Sequence, residues 1–161
     1  MRILSSVTLW IFVIGSGFIL GAGIYEAVAV VPFWADGAPQ SLMADNPLLR
    51  VPIRAGEAFW SIVTPALGII ALAALLTSFS TPHRHMIWRV AGTSLFLLTA
   101  IVTLTYFRPS VIHMVVNHGA GRTDQELMGD AKRWVTLNWL RIGAVAASLA
   151  MSVRALLLPI S

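Results

Sequence analysis

The chain has 161 residues, of which 57% are hydrophobic and only 11% charged, and its formal net charge is +4. Charged residues make up roughly a quarter of an average soluble domain, so this composition excludes that class and indicates a membrane protein. The basic residues are scattered along the chain, which argues against a nucleic-acid partner. The sequence has no cysteine, which excludes thiol-disulfide catalysis and thiolate metal sites.

Four apolar runs are long enough to cross a lipid bilayer as helices, for which about 20 residues are needed. They cover residues 3–31, 55–79, 86–107 and 134–158. We therefore predict one domain over residues 1–161, an all-α integral membrane four-helix bundle in up-down-up-down order. The third connection is predicted to be longer and the fourth helix to be extended. The first run is too long for the apolar part of a secretory signal, which is about 7–15 residues.

The first predicted helix carries a small-residue motif and a carboxylate. Gly17 and Gly21 have the spacing that lets another helix approach closely, which predicts a contact between copies in a homo-oligomer. Glu26 lies near the end of the run, and a carboxylate in hydrocarbon is costly unless it is paired or faces a polar cavity. We expect Glu26 to face the bundle interior, Tyr25 to lie on a neighbouring face, and the helix to end at Pro32.

The middle of the chain predicts two antiparallel helices. Residues 35–53 contain several prolines and a glycine, which is typical of a loop. Helix 2 is predicted to begin at residues 54–57 and to kink at Pro65, whose ring removes a backbone donor. The connection at residues 80–85 is short, which makes helices 2 and 3 neighbours. Helix 3 is predicted to end at Phe107.

The third predicted connection, residues 108–133, contains polar candidates and a helix start. His113, Asn117 and His118 surround a short apolar piece. Thr123 and Glu126 have the spacing of a capping box, which predicts a helix that starts near Asp124 and continues into helix 4. Helix 4 would then extend beyond the membrane by two to three turns.

Arg141 lies early in the fourth apolar run, and we calculate that it lies at the same depth as Glu26, about 9–10 Å below one surface at 1.5 Å per residue. The two charges are therefore expected to meet between helices 1 and 4. One interpretation is a ligand pocket in which Glu26 accepts a proton and Arg141 stabilises an anion. The other is a structural ion pair. Trp134 and Asn138 lie on the same face of the helix as Arg141. Each is either a ligand contact or a residue that packs the helices together.

The histidines give a weaker indication of chemistry. His118 is a candidate general base above the mouth of the pocket, with an ordinary loop histidine as the alternative. The histidine spacing matches no metal-binding motif, so we predict no metal site, although haem or metal binding by these histidines stays open. The cofactor is unknown, and none is predicted to be obligatory.

Three stretches resemble the anthrone oxygenase family and its bacterial relatives, which are small four-helix membrane proteins. The first stretch is the end of helix 1, with Gly23, Tyr25, Val28, Val31 and Pro32. The second is the end of helix 3 at Arg108-Pro109, followed by Asn117. The third is the start of helix 4, with Trp134, Asn138 and Arg141. The last three are similar to the family's Trp-x3-Asn-x2-Arg signature. The resemblance covers most of the chain through short motifs.

The resemblance implies a membrane oxidoreductase or oxygenase that acts on a lipophilic aromatic or quinone-like molecule. Its site would include Asn117, Trp134, Asn138 and Arg141, with Tyr25 as a further contact. A base, Glu26 or His118, would remove a proton from an activated carbon, and the carbanion would react with oxygen without a metal. Cofactor-independent catalysis is therefore one hypothesis, and enzyme activity itself stays open.

Two other functions remain open from the sequence, a carrier of quinone, haem or lipid and an accessory subunit of another membrane protein. An ion transporter is less favoured, because no second intramembrane carboxylate and no inverted repeat is visible. We expect a bacterial inner-membrane location with cytoplasmic termini. Lys and Arg residues are more numerous at the opposite ends of the helices, so the charge rule gives that orientation little support.

Overall fold

The computed structural model of the chain describes residues 2–42, 47–117 and 121–159. Within these ranges, four helices are long and apolar enough to cross a membrane, and we name them span 1 (Ile3–Ala35), span 2 (Ala55–Ser78), span 3 (His83–Val115) and span 4 (Asp124–Leu157). The α-helical segments are Arg2–Tyr25, Val31–Ala35, Pro47–Ser78, His83–Val102, Arg108–Val111 and Asp124–Leu157. The prediction of an all-α four-helix bundle is confirmed.

Each span packs against the next one and span 4 closes the ring against span 1, with the most extensive contact between spans 3 and 4. Large apolar side chains cover the outside of this ring, among them Ile14, Ile62 and Leu140, which are 66–70% exposed. An apolar exterior of this kind, on helices of this length, indicates an integral membrane protein.

The capping box predicted at the start of span 4 is confirmed. The Glu126 amide donates to the Thr123 hydroxyl at 3.3 Å, and the Thr123 amide donates to the Glu126 carboxylate at 2.9 Å. Both donors would otherwise be unpaired at a helix start. The helix therefore begins at Asp124 and continues without interruption to Leu157.

Spans 1 and 3 are longer than predicted, because the prolines at their predicted ends do not stop them. Span 1 continues past Pro32 to Ala35, and span 3 continues past Pro109. A π turn precedes each proline, with the Val31 amide bonding to the Glu26 carbonyl in one and the Arg108 amide to the Thr103 carbonyl in the other. Each wide turn ends just before the proline, which then occupies the first turn of a new α-helical segment, where no amide donor is needed.

These extensions shorten the connections. The loop predicted at 35–53 is reduced by a helix that already begins at Pro47, and a short 3₁₀ helix covers Gln40–Leu42. The third connection, predicted over 108–133, contains a further π turn at Ile112–Val116, and its described non-helical residues are 117 and 121–123. Span 2 remains α-helical through Pro65.

Two apolar clusters fill the bundle. One lies in its middle and is built around Leu9, Phe12, Leu67 and Phe96, all less than 5% exposed. The other lies near the first and third connections and includes Trp34, Phe107, Leu127 and Trp134. The second cluster forms part of the wall of the cavity described below.

Gly17 and Gly21 lie on an open face of span 1. A Cβ atom added at either position would meet nothing within 4 Å in the part of the chain that the structure describes. The predicted contact between copies through this face stays a prediction.

Candidate functional site

A cavity of about 80 Å³ lies between the four spans at the end of the bundle that carries the first and third connections. One ordered water needs roughly 10–15 Å³ of such space, so the cavity is larger than a water site. Its lining combines four aromatic rings with four charged side chains: Trp34, Trp60, Phe107, Trp134, Glu26, Glu57, Arg108 and Arg141.

Glu26 and Arg141 meet in this cavity, which confirms their predicted proximity. The Arg141 Nη2 and Glu26 Oε2 atoms are 3.9 Å apart, and the two side chains are only 10% and 23% exposed. Direct charge-assisted hydrogen bonds are shorter, about 2.7–2.9 Å. The two charges therefore attract each other without a direct hydrogen bond, so the Arg141 donors and the Glu26 acceptors can still bond to other groups.

Most of the donor capacity of Arg141 is unused. A guanidinium carries five N–H donors, and among the described residues the Arg141 Nε atom has no hydrogen-bond partner. Nη1 is 3.4 Å from the Thr103 hydroxyl, a long contact. That hydroxyl donates to the Thr99 carbonyl at 2.8 Å, so it accepts from Arg141. Arg141 is thus buried with donors that could serve another acceptor.

Aromatic rings hold the guanidinium in place. Its Cζ atom lies 5.1 Å from the Phe107 ring centroid and 5.4 Å from that of Trp60, within the range of cation–π attraction. Trp134 packs edge-on against Trp34 and Phe107, and its indole donates to the Phe107 carbonyl at 3.3 Å. The walls are therefore flat, apolar and mutually braced.

A second ion pair lies at the mouth of the cavity. Arg108 Nη2 is 3.5 Å from Glu57 Oε1, with side chains 46% and 37% exposed. A pair with this exposure contributes about 0–1 kcal/mol to stability. The same cavity thus carries one exposed and one buried charge pair.

A groove of about 320 Å³ adjoins the cavity on the outer side of spans 1 and 2. Glu26, Val30, Gly56 and Trp60 line both the groove and the cavity, and Tyr25, 68% exposed, lies in the groove. A Cβ atom at Gly56 would lie 3.7 Å from Glu26 Oε1. The two spaces therefore share a wall, and Gly56 lies on that wall next to the Glu26 carboxylate.

The remaining predicted site residues have different positions. Asn138 is 1% exposed and its Oδ1 has no partner in the described part of the chain, but it is not part of the lining of the cavity. Asn117 is exposed and likewise does not line it. His118 lies outside the described residues. Over the ranges described, no three His, Cys, Asp or Glu side chains gather in a metal-binding cluster.

Sequence reasoning did not identify several of the residues that line the cavity. Trp34 is one of these, and it is 2% exposed within the bundle. Thr103 and Phe107 are the first and last residues of one π turn, and Glu26 and Val30 are those of another. All four line the cavity. The proline that follows each turn signals a disturbance of the helix, but it does not by itself identify a π turn.

The fold and the site define a class, that of four-helix membrane proteins with a charged and aromatic cavity between the helices. Comparisons of the chain with protein-family models, with curated proteins and with solved structures found no match. The resemblance to anthrone oxygenases accordingly stays a prediction.

Proposed function

We propose that this protein binds a small lipophilic aromatic molecule that carries a carbonyl or hydroxyl oxygen, of the quinone or phenol kind, in the cavity between its four spans. The ring of the ligand lies among the aromatic walls. Its oxygen accepts a hydrogen bond from Arg141, and Glu26 exchanges a proton with it.

The observation that carries this proposal is the incomplete pairing of Arg141. Its Nε atom has no partner among the described residues, and Glu26 lies 3.9 Å away instead of in direct hydrogen-bonding contact. A buried donor without a partner is costly, and a ligand oxygen next to Arg141 would remove that cost. Apolar walls with a few convergent polar groups are the usual composition of small-molecule sites.

The groove beside Tyr25 supports access from the bilayer. It opens between spans 1 and 2, and Gly56 lies where it meets the cavity. A lipophilic molecule dissolved in the membrane would therefore reach Glu26 without crossing the polar connections. This route also agrees with the apolar exterior of the spans.

A titration with 1,4-naphthoquinone tests the binding proposal. We expect saturable quenching of tryptophan fluorescence in protein held in nanodiscs, because Trp60 and Trp134 line the cavity. Gly56→Leu should weaken this binding by about tenfold or more, which corresponds to about 1.4 kcal/mol, because the new side chain occupies space beside the Glu26 carboxylate.

Gly68→Leu is the matched control, since a side chain at Gly68, on the same span, meets nothing within 4 Å in the described structure. It should bind like the wild type. Trp10, Trp88 and Trp139 are 39–55% exposed, so replacing all three with phenylalanine should remove most of the quenching by quinone dissolved in lipid and leave the saturable part. Quenching that never saturates, or that is equal in both leucine variants, would contradict the proposal.

An oxygenase reaction is the second candidate, favoured by a carboxylate and an unsatisfied guanidinium on one cavity wall. Glu26 would remove a proton from a CH₂ group activated by a neighbouring carbonyl, and Arg141 would stabilise the enolate. Addition of O₂ to the carbanion and protonation give a hydroperoxide, which loses water to leave a new carbonyl. In this balance CH₂ and O₂ become C=O and H₂O, so the carbon is oxidised and O₂ is reduced.

Anthrone in air-saturated buffer tests this reaction through oxygen uptake and the appearance of anthraquinone. Glu26→Gln is expected to lower the rate about 100-fold or more, the usual contribution of a general base. Asp130→Asn changes an exposed carboxylate that pairs with Arg122 and should keep the rate. If the wild type binds naphthoquinone but does not turn over anthrone, the oxygenase is excluded and a carrier function is retained.

We also propose a bacterial inner-membrane location with cytoplasmic termini. Four spans place both ends of the described chain on one side of the membrane, and the cavity mouth on the other. Labelling of single cysteines introduced at Ser80 and at Gly121 in intact cells would determine the orientation. Reaction at Ser80 alone with an impermeant reagent would reverse it.

A further inference from the structure

A second cavity lies at the opposite end of the bundle from the Glu26 site. It has a volume of about 130 Å³ and is bounded by the start of span 1, the connection between spans 2 and 3, the start of span 3 and the end of span 4. Its polar wall consists of Ser5, Ser6, Ser80, Thr81, His85 and Arg89. This end of the molecule is not part of the function proposed above.

Arg89 is the central residue of this cavity. It is only 4% exposed, and one of its terminal nitrogens donates to the Ser5 carbonyl. Its Nε atom has no hydrogen-bond partner in the part of the chain that the structure describes. Burying a guanidinium without a counter-charge costs several kcal/mol, so the site is electrostatically suited to an anion.

The sequence supplies no carboxylate side chain at this end. There is no Asp or Glu over residues 1–25, 58–123 or 131–161, the ranges that contain every residue of this wall. Arg84 and Arg154 are exposed on the ends of spans 3 and 4 nearby. These positively charged side chains attract anions to the cavity mouth.

The start of span 3 lies next to this cavity. Pro82 lines the cavity and immediately precedes the first helical residue, His83. The first amides of a helix have no intrahelical partner, and the helix dipole favours negative charge there. The His85 ring lies 3.1 Å from the Ala155 carbonyl and 3.3 Å from that of Pro159, which joins this helix start to the end of span 4.

We propose that this cavity binds a phosphate group, held by the Arg89 guanidinium, by hydroxyl groups of the wall and by the first amides of span 3. The planar fork of an arginine matches two phosphate oxygens, and a helix start is a common phosphate site. The phosphate belongs either to the headgroup of an anionic phospholipid in the adjacent leaflet or to inorganic phosphate.

Calorimetric titration of protein in a phosphate-free maltoside detergent tests this proposal with two probes, inorganic phosphate and the soluble lipid dihexanoyl-phosphatidylglycerol. Saturable binding of at least one probe is expected. Binding of both indicates a site for free phosphate, whereas binding of the lipid alone indicates a headgroup site. Arg89→Gln should weaken binding by about tenfold or more, since hydrogen bonds to charged groups contribute about 1.5–3 kcal/mol.

Arg84→Gln is the matched control, because it removes an exposed charge at the same end of the same helix. It should change the affinity by less than about threefold, as expected for a screened surface charge. An equal loss in Arg84→Gln and Arg89→Gln would overturn the site, because binding would then follow surface charge alone. No saturable binding of either probe to the wild type would overturn it as well.

A second variant decides the question if Arg89→Gln does not fold. Ser6 is exposed on span 1 and lines the cavity, so Ser6→Leu narrows the cavity without entering the core. It should weaken probe binding, whereas Val7→Leu, at an adjacent position 46% exposed, should not. Unchanged binding in Ser6→Leu would contradict the proposal.

Discussion

Replacing Arg141 with glutamine is expected to lower the free energy of unfolding by about 3–5 kcal/mol, the usual cost of leaving one member of a buried ion pair without its partner. The Glu26 side chain is 23% exposed and Arg141 is its ion-pair partner. Without the guanidinium, a carboxylate would remain among aromatic rings. Reversible denaturation in bicelles measures the change.

Two variants separate this effect from a general loss of charge. Glu26→Gln/Arg141→Gln removes both charges and should recover most of the lost stability, since uncharged replacement of a buried pair is often close to neutral. Arg108→Gln breaks the exposed pair with Glu57 and should cost about 1 kcal/mol or less. Equal losses in Arg141→Gln and Arg108→Gln would mean that water solvates Glu26 as well as it solvates Glu57.

A side chain at Gly92 is expected to disrupt the packing of spans 3 and 4. A Cβ atom there would lie 2.9 Å from the backbone carbonyl of Ser148 and closer still to the Ser152 hydroxyl. The Ser148 hydroxyl donates to the Gly92 carbonyl at 2.7 Å, so the same approach carries a hydrogen bond between the helices. Gly92→Ala should cost about 1–3 kcal/mol by overpacking, and Gly92→Leu more, with loss of the folded bundle.

Gly143→Ala is the matched control for this prediction. A Cβ atom at Gly143 on span 4 meets nothing within 4 Å in the described structure, so alanine should raise helix stability by up to about 1 kcal/mol. Thermal unfolding in the same detergent compares the two variants directly. If Gly92→Ala unfolds at the wild-type temperature, spans 3 and 4 are not held in the close approach described.

The sequence predicted the four helices and the meeting of Glu26 with Arg141 because both follow from length and depth. Apolar runs of the required length leave few alternatives to spanning helices. Opposite charges at equal depth in neighbouring helices are expected to pair, because an unpaired charge in hydrocarbon is costly. The capping box was also predictable, because the interaction depends only on the identity of Thr123 and Glu126 and on their spacing in the sequence.

The sequence did not predict the close approach of spans 3 and 4. Gly17 and Gly21 lie on an open face, where a contact between copies stays a prediction, whereas Gly92 makes a tight contact inside the bundle. Its partners are Ser148 and Ser152, which are also four residues apart. Spacing identifies faces that permit close approach, but only the complete packing determines which of them is used.

The shape of the cavity could not be predicted because it depends on the π turns before Pro32 and Pro109. A proline in a helical pattern is compatible with a helix end, a kink or a wide turn, and local sequence does not decide among them. The three outcomes orient Thr103 and Phe107 differently. The charged pair of the site could therefore be predicted from the sequence, whereas the residues that form the cavity walls could not.

The apolar cluster in the middle of the bundle has a consequence for its two charged ends. Leu9, Phe12 and Phe96, all at most 2% exposed, lie among the residues that fill the space between the two polar ends. The Thr93 and Thr99 hydroxyls bond to carbonyls four residues earlier in their own helix, so neither is a free relay for protons. The molecule thus holds charges near both ends of the bundle and separates them by a tightly packed apolar layer.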